Sequence, residues 1–196
     1  MKKLYILGML LAAMAATRFN HFGSSFALPD ASYAVFLLGG MYLSRYAGFS
    51  LAAFVTLLTA AGSIDWYATA AGGVSDWCMS PAYWFLIPTY AWIWLAGQWY
   101  GNKYTLTSNN TVNWLGGLLL ISLVTSSFAF FLSNATFFIL SGRYDDMDMF
   151  EYGARVAGYY LPYLSITALY VGCTGALQIT LKHISTWNHG QKATSK

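Results

Sequence analysis

The chain has 196 residues, 57% of them hydrophobic and only 9% charged, against about 25% charged in a typical soluble protein; this composition excludes a water-soluble domain. Its formal charge is +3 and its pI near 8.8, but the ten basic residues are scattered and form no basic stripe interleaved with aromatics, which excludes nucleic acid as a partner. No phosphate-cradling GxxxxGKS/T or GxGxxG, no HExxH and no GxSxG occurs, so the familiar soluble-enzyme chemistries have no support.

Apolar runs long enough to cross a hydrocarbon core, roughly 17 to 25 helical residues, recur from end to end, and 1–196 reads as a single transmembrane domain. Six spans are predicted in chain order, at 4–19, 31–47, 48–65, 81–101, 112–133 and 155–181. Unpaired backbone is costly in lipid, and no ten-residue alternation marks a barrel. The predicted fold class is therefore all-α, an integral membrane protein built as a six-transmembrane-helix bundle.

Lys and Arg favour cytoplasmic loops. With both termini cytoplasmic, Lys2, Lys3, Arg45, Lys103, Lys182, Lys192 and Lys196 fall inside, and only Arg18, Arg143 and Arg155 fall outside. The acids carry little weight in this rule, yet Asp30, Asp65, Asp76, Asp145, Asp146, Asp148 and Glu151 all fall on the outer side. A solvated acidic rim and a functional outer face both fit that segregation.

The first span has a second reading. Lys2 and Lys3, a short apolar run and the small residues Ala13, Ala15 and Ala16 also fit a cleavable signal peptide, and its removal leaves the other spans oriented as before. Retained, the helix carries Ala12 and Ala16 as a small-xxx-small face that lets another helix approach closely, or as plain apolar filler.

Three outer loops, 18–31, 65–81 and 134–155, are longer than the inner connection near Ser44 and hold most of the polar chemistry. Loops on a rigid scaffold commonly carry binding residues. The middle one runs Asp65-Trp66-Tyr67, an Ala-Gly-Gly stretch, then Asp76-Trp77-Cys78-Met79-Ser80-Pro81. Pro81 suits the first turn of the following helix, which holds Cys78 near a helix N-terminus, where the dipole favours a thiolate; Asp76 opposes that effect. The other cysteine, Cys173, lies well inside the last span, too far for a bridge that needs Cα atoms within about 7 Å, so Cys78 is expected to be free. Disulfide exchange normally needs a second cysteine, and structural zinc needs four ligands where His21 and Cys78 offer two. Axial ligation of a metal already held by a macrocycle needs only one cysteine; an incidental small apolar residue is the plain alternative.

A chain of this length with six helices and a lone loop cysteine, set in Asp65-Trp66-Tyr67 followed by Cys78-Met79-Ser80-Pro81-Ala82-Tyr83, resembles the BtuM-type cobalamin transporters of Gram-negative bacteria, solitary relatives of the S-components of energy-coupling-factor (ECF) transporters. The resemblance implies a multi-pass protein of the bacterial inner membrane that binds cobalamin, or precursors such as cobinamide, from the periplasmic side. It implies Cys78 as the axial cobalt ligand and as the group assisting decyanation of cyanocobalamin, with an external reductant finishing the step; transport is the primary activity and enzymatic status is open. Asp65 and Tyr83 are implied to line the corrin site, and Tyr67, Trp77 and Met79 are further candidate contacts. Cobalamin enters as bound substrate, with its cobalt in the corrin and no metal held by the protein alone. The expected partners are cobalamin and the lipid bilayer, with the protein acting either alone or with an ECF-type energising module.

The chemistry of the residues fits beside the resemblance. A thiolate is a soft donor for cobalt, carboxylates accept from the corrin amides, and Trp66, Tyr67, Trp77, Tyr83 and Trp84 offer flat apolar surface; an interfacial aromatic belt explains the same aromatics. Asp65 closes an apolar helix, where a carboxylate sits at the water boundary or is costly. Glu151 and Arg155 read as a surface ion pair, His21 as a solvated loop residue, and Asp145, Asp146 and Asp148 lack the Gly and Glu of a calcium loop. The alternatives are an S-component-like transporter for another vitamin and a membrane thiol oxidoreductase in which Cys173 matters as much as Cys78.

Overall fold

A computed structural model describes residues 1–18, 28–46, 48–73, 79–107 and 109–194, with side chains described as far as 186. Cys78, Trp77, Asp76 and His21 lie outside the described residues, as do the side chains of Lys192 and Lys196. Helices are the regular structure of the described residues, which contain no strand. Six α-helices occur among them: α1 (Lys2–Arg18), α2 (Ser32–Leu43), α3 (Ser50–Ala70), α4 (Leu86–Lys103), α5 (Thr111–Leu140) and α6 (Met149–Thr194), with a short 3-10 helix, Pro81–Phe85, leading into α4.

Three of the helices, α3, α5 and the Met149–Thr186 part of α6, are long and apolar enough to cross a membrane. At most a third of the residues in these segments is buried within the protein. Large apolar side chains such as Leu51, Val112, Leu120, Leu161 and Leu169 are exposed instead. An outward apolar girdle on this scale matches lipid rather than water.

The core is built around α2, whose SYAVFLLGGMYL sequence is apolar on every side, the mark of a helix enclosed by others. Only Tyr42 of its twelve residues is not fully buried. At 1.5 Å per residue it is about 18 Å long, shorter than the predicted 31–47 span. Its main neighbour is α4, with α1, α3 and α6 on its other sides. Gly39 and Gly40 face Trp94, and Gly97 and Gly101 face Leu37 and Met41. A Cβ at Gly40 would collide with the Trp94 carbonyl, and one at Gly97 with the Leu37 carbonyl, so the two backbones touch where only glycine fits. Phe36 stacks on Tyr90 at 4.2 Å beside this seam, and Tyr42 donates a hydrogen bond to Gln178 of α6.

Two predicted boundaries move outward. Helix α3 continues past Asp65 to Ala70 because Thr69 returns its hydroxyl to the Asp65 carbonyl at 3.0 Å. It stops at Ala71-Gly72, whose N–H groups both bond the Tyr67 carbonyl, with Gly73 at φ 67°, a left-handed turn that glycine allows. Helix α5 runs through the predicted 134–155 loop as far as Leu140: Ser133, Asn134 and Thr136 direct their polar atoms to carbonyls one turn back, at 2.8–3.1 Å, and so do not break the helix. Asp148 then caps α6, accepting from the N–H groups of Phe150 and Glu151 at 2.8 Å each.

The polar residues divide between the two ends of the bundle. One end carries Lys3, its ammonium 4.7 Å from the Phe49 ring, Arg45 bonded to the Gly101 carbonyl, Lys103 over Trp99 at 5.0 Å, and Lys182 bonded to the Leu106 carbonyl at 2.8 Å. The other end carries Arg18 and the carboxylates that surround it.

Candidate functional site: a buried arginine network beside a cavity

Arg18 is the last residue of α1 and is only 2% exposed. A lone guanidinium in an apolar bundle is costly unless its charge and its hydrogens are matched, and four elements converge on it. From α3, Asp65 takes a two-pronged contact, Nε to Oδ1 at 2.8 Å and NH2 to Oδ2 at 2.7 Å. From α2 and α4, Ser32 and Tyr90 accept from NH1 at 2.6 and 2.8 Å. Asp30, just ahead of α2, lies 3.6 Å from NH1 and accepts from the Ser32 hydroxyl at 2.6 Å. Thr17 braces the same corner by accepting from the Ala31 N–H at 3.2 Å.

The 3-10 helix supplies the fifth contact. Pro81 opens it, and the turn places Tyr83 so that its hydroxyl donates to Asp65 Oδ2 at 2.6 Å. Asp65 is 6% exposed. The expectation that Asp65 closes its helix is corrected: it lies inside α3, and the bidentate guanidinium offsets the cost of its burial.

Beside this network lies a cavity of about 260 Å3. Leu58, Thr59, Ala61 and Gly62 of α3 form one wall, and Tyr83, Trp84, Leu86, Ile87 and Tyr90 the other, with Arg18 between them. It exists because α3 and α4 hardly touch, each packing on α2 instead. Its volume falls below the range of about 300–1,000 Å3 common for drug-sized ligands.

Of the residues read from sequence, Asp65 and Tyr83 come together in one hydrogen bond, and Tyr83 lines the cavity. Tyr67 and Met79 are 55% and 39% exposed and do not line it, because α3 turns Trp66 and Tyr67 to the surface while burying Asp65. Trp84 is exposed and forms part of the cavity wall. Glu151 and Arg155 form no ion pair with each other; the Glu151 N–H is taken up in the Asp148 cap. Cys173 carries a free, exposed thiol on α6. Among the described residues no three His, Cys, Asp or Glu side chains gather to hold a metal ion.

Arg18, Ser32 and Tyr90 are the members that sequence reasoning missed. A signal for Arg18 was present: one cation at the end of an apolar helix and one acid within another form a potential pair wherever the two helices are neighbours. Nothing comparable marks Ser32 or Tyr90. No protein-family model matches this chain, and no curated protein matches it either.

Proposed function

We propose that the chain is a vitamin-uptake protein of the bacterial inner membrane, a six-span bundle of the S-component type with both termini inside, and that cobalamin or a precursor such as cobinamide is its substrate. The observation that carries this reading is the Tyr83–Asp65 hydrogen bond. It ties together the two flanks of the segment that contains Cys78, at the end of the bundle opposite Lys3, Arg45 and Lys182. By the positive-inside rule that end faces the periplasm. On this reading Cys78 is the axial cobalt ligand, and it assists decyanation of cyanocobalamin with an external reductant. The cavity is too small to enclose a corrin and takes one edge of it. ATP-driven work requires another chain, an energising module of the ECF type, since no nucleotide-binding motif is present.

The visible spectrum of detergent-purified protein, incubated with cyanocobalamin and desalted, tests this reading. Retained corrin colour with a shifted band, lost or reverted in Cys78→Ser, is expected. A colourless wild type overturns it.

A smaller vitamin is the second reading, favoured by the 260 Å3 cavity. Cys78→Ser then leaves binding unchanged.

A further inference from the structure

We infer that the cavity beside Arg18 recognises a neutral carboxamide, with Tyr83 accepting the amide N–H, Tyr90 donating to the amide carbonyl, and Arg18 and Asp65 as positioning residues that set the direction of both hydrogen bonds. Hydrogen-bond direction carries the inference. An ionised carboxylate only accepts, so the 2.6 Å contact between Tyr83 and Asp65 Oδ2 commits the Tyr83 proton to Asp65. What Tyr83 offers a ligand is lone pairs. A guanidinium only donates, so the 2.8 Å contact from Arg18 NH1 makes the Tyr90 oxygen an acceptor there. Tyr90 keeps its own proton for a second partner. Both tyrosines line the cavity.

One group that accepts and one that donates, side by side, match the N–H and C=O of an amide. A carboxylate has no N–H for Tyr83. Four of the five Arg18 N–H donors are engaged within the network, one on Nε, two on NH1 and one on NH2, which leaves little of the guanidinium for an anion. The rest of the wall, Leu58, Leu86, Ile87 and Trp84, suits the aliphatic stem or ring that bears the amide. Joined to the cobalamin reading, on which this last assignment rests, the occupant is one of the peripheral amide arms of the corrin.

The test uses two small probes of the same shape, nicotinamide and nicotinate, on the full chain in detergent, read by saturation-transfer NMR. Nicotinamide is expected to give a signal about tenfold above that of nicotinate, the discrimination a polar mismatch in a hydrogen-bonding site produces. Tyr83→Phe and Tyr90→Phe, which remove one oxygen each and guard against the failure of either variant to fold, both abolish the preference. Asp65→Asn removes the charge that holds Tyr83 as an acceptor, so it lowers the amide-to-acid ratio rather than both signals alike. Equal signals from the two probes, no signal from nicotinamide, or a preference that survives both Phe variants overturns the inference. The cyanocobalamin spectrum is independent of these outcomes: amide selectivity without retained corrin sinks only the cobalamin reading, and retained corrin without amide selectivity sinks only this one.

Discussion

The Tyr83 hydroxyl lies 2.6 Å from Asp65 Oδ2, and the segment between the two residues contains the cysteine most in need of a chemical explanation. The same carboxylate binds the buried Arg18. One aspartate therefore joins the interior of the bundle to the flanks of the connection between α3 and the 3-10 helix.

Removing Arg18 leaves Asp65 buried without its guanidinium, and removing Asp65 leaves Arg18 with the looser Asp30 contact at 3.6 Å. Arg18→Ala and Asp65→Ala are each expected to lose about 3–5 kcal/mol of stability, read as a lowered midpoint of thermal unfolding in detergent. The double variant Arg18→Met/Asp65→Leu recovers part of that loss, because the carboxylate that then loses its guanidinium, Asp30, is partly exposed. A double variant no more stable than the worse single one contradicts the pairing.

The glycine seam between α2 and α4 makes an opposite pair of predictions. Gly40→Ala and Gly97→Ala place a methyl group against a carbonyl of the facing helix and cost about 1–3 kcal/mol as the backbones separate. Gly116→Ala, with no neighbour within 4 Å of its added carbon, instead gains up to about 1 kcal/mol of helix propensity. Unfolding midpoints of the three variants, measured together, check both signs.

Cys173→Ser separates transport from thiol catalysis. Cys173 is exposed on α6 and belongs to neither the network nor the cavity, so cobalamin spectra are expected to match wild type. Loss of the spectrum in Cys173→Ser as well as in Cys78→Ser supports an oxidoreductase with two working thiols.

The proposed orientation is checked by reporters. Fused after Lys196, a reporter active only in the cytoplasm is expected to be active; inserted after Gly73, next to the middle outer loop, it is expected to be silent. The reverse pattern inverts the bundle and moves Arg18 to the cytoplasmic side.

Helical content was legible because apolar runs in a chain with so few charges have few other solutions. Lengths were less so. The sequence reading stops α3 at Asp65 and α5 at Ser133 because polar residues there look like boundaries, whereas Thr69, Asn134 and Thr136 satisfy their polar atoms on the preceding turn and let both helices continue. The seam had a visible signal, Gly97-x-x-x-Gly101 in one span and Gly39-Gly40 in another, but the reading of the spans by hydropathy overlooks it. Asp65 and Tyr83 were singled out through a resemblance. The burial of Asp65 depends on Arg18, 47 positions away, and only the packing of α1 against α3 brings the two together.

The enclosure of α2 also bears on how the protein is made. A segment about 18 Å long is shorter than the bilayer's hydrocarbon core of about 30 Å, and its deepest contacts are with α4, which begins 43 positions after α2 ends. At about 5–20 residues per second, the ribosome needs several seconds to supply that partner. Until then Gly40 has no Trp94 carbonyl to meet, so α2 is the segment most in need of protection by the insertion machinery, and α4 is the one whose arrival closes the core.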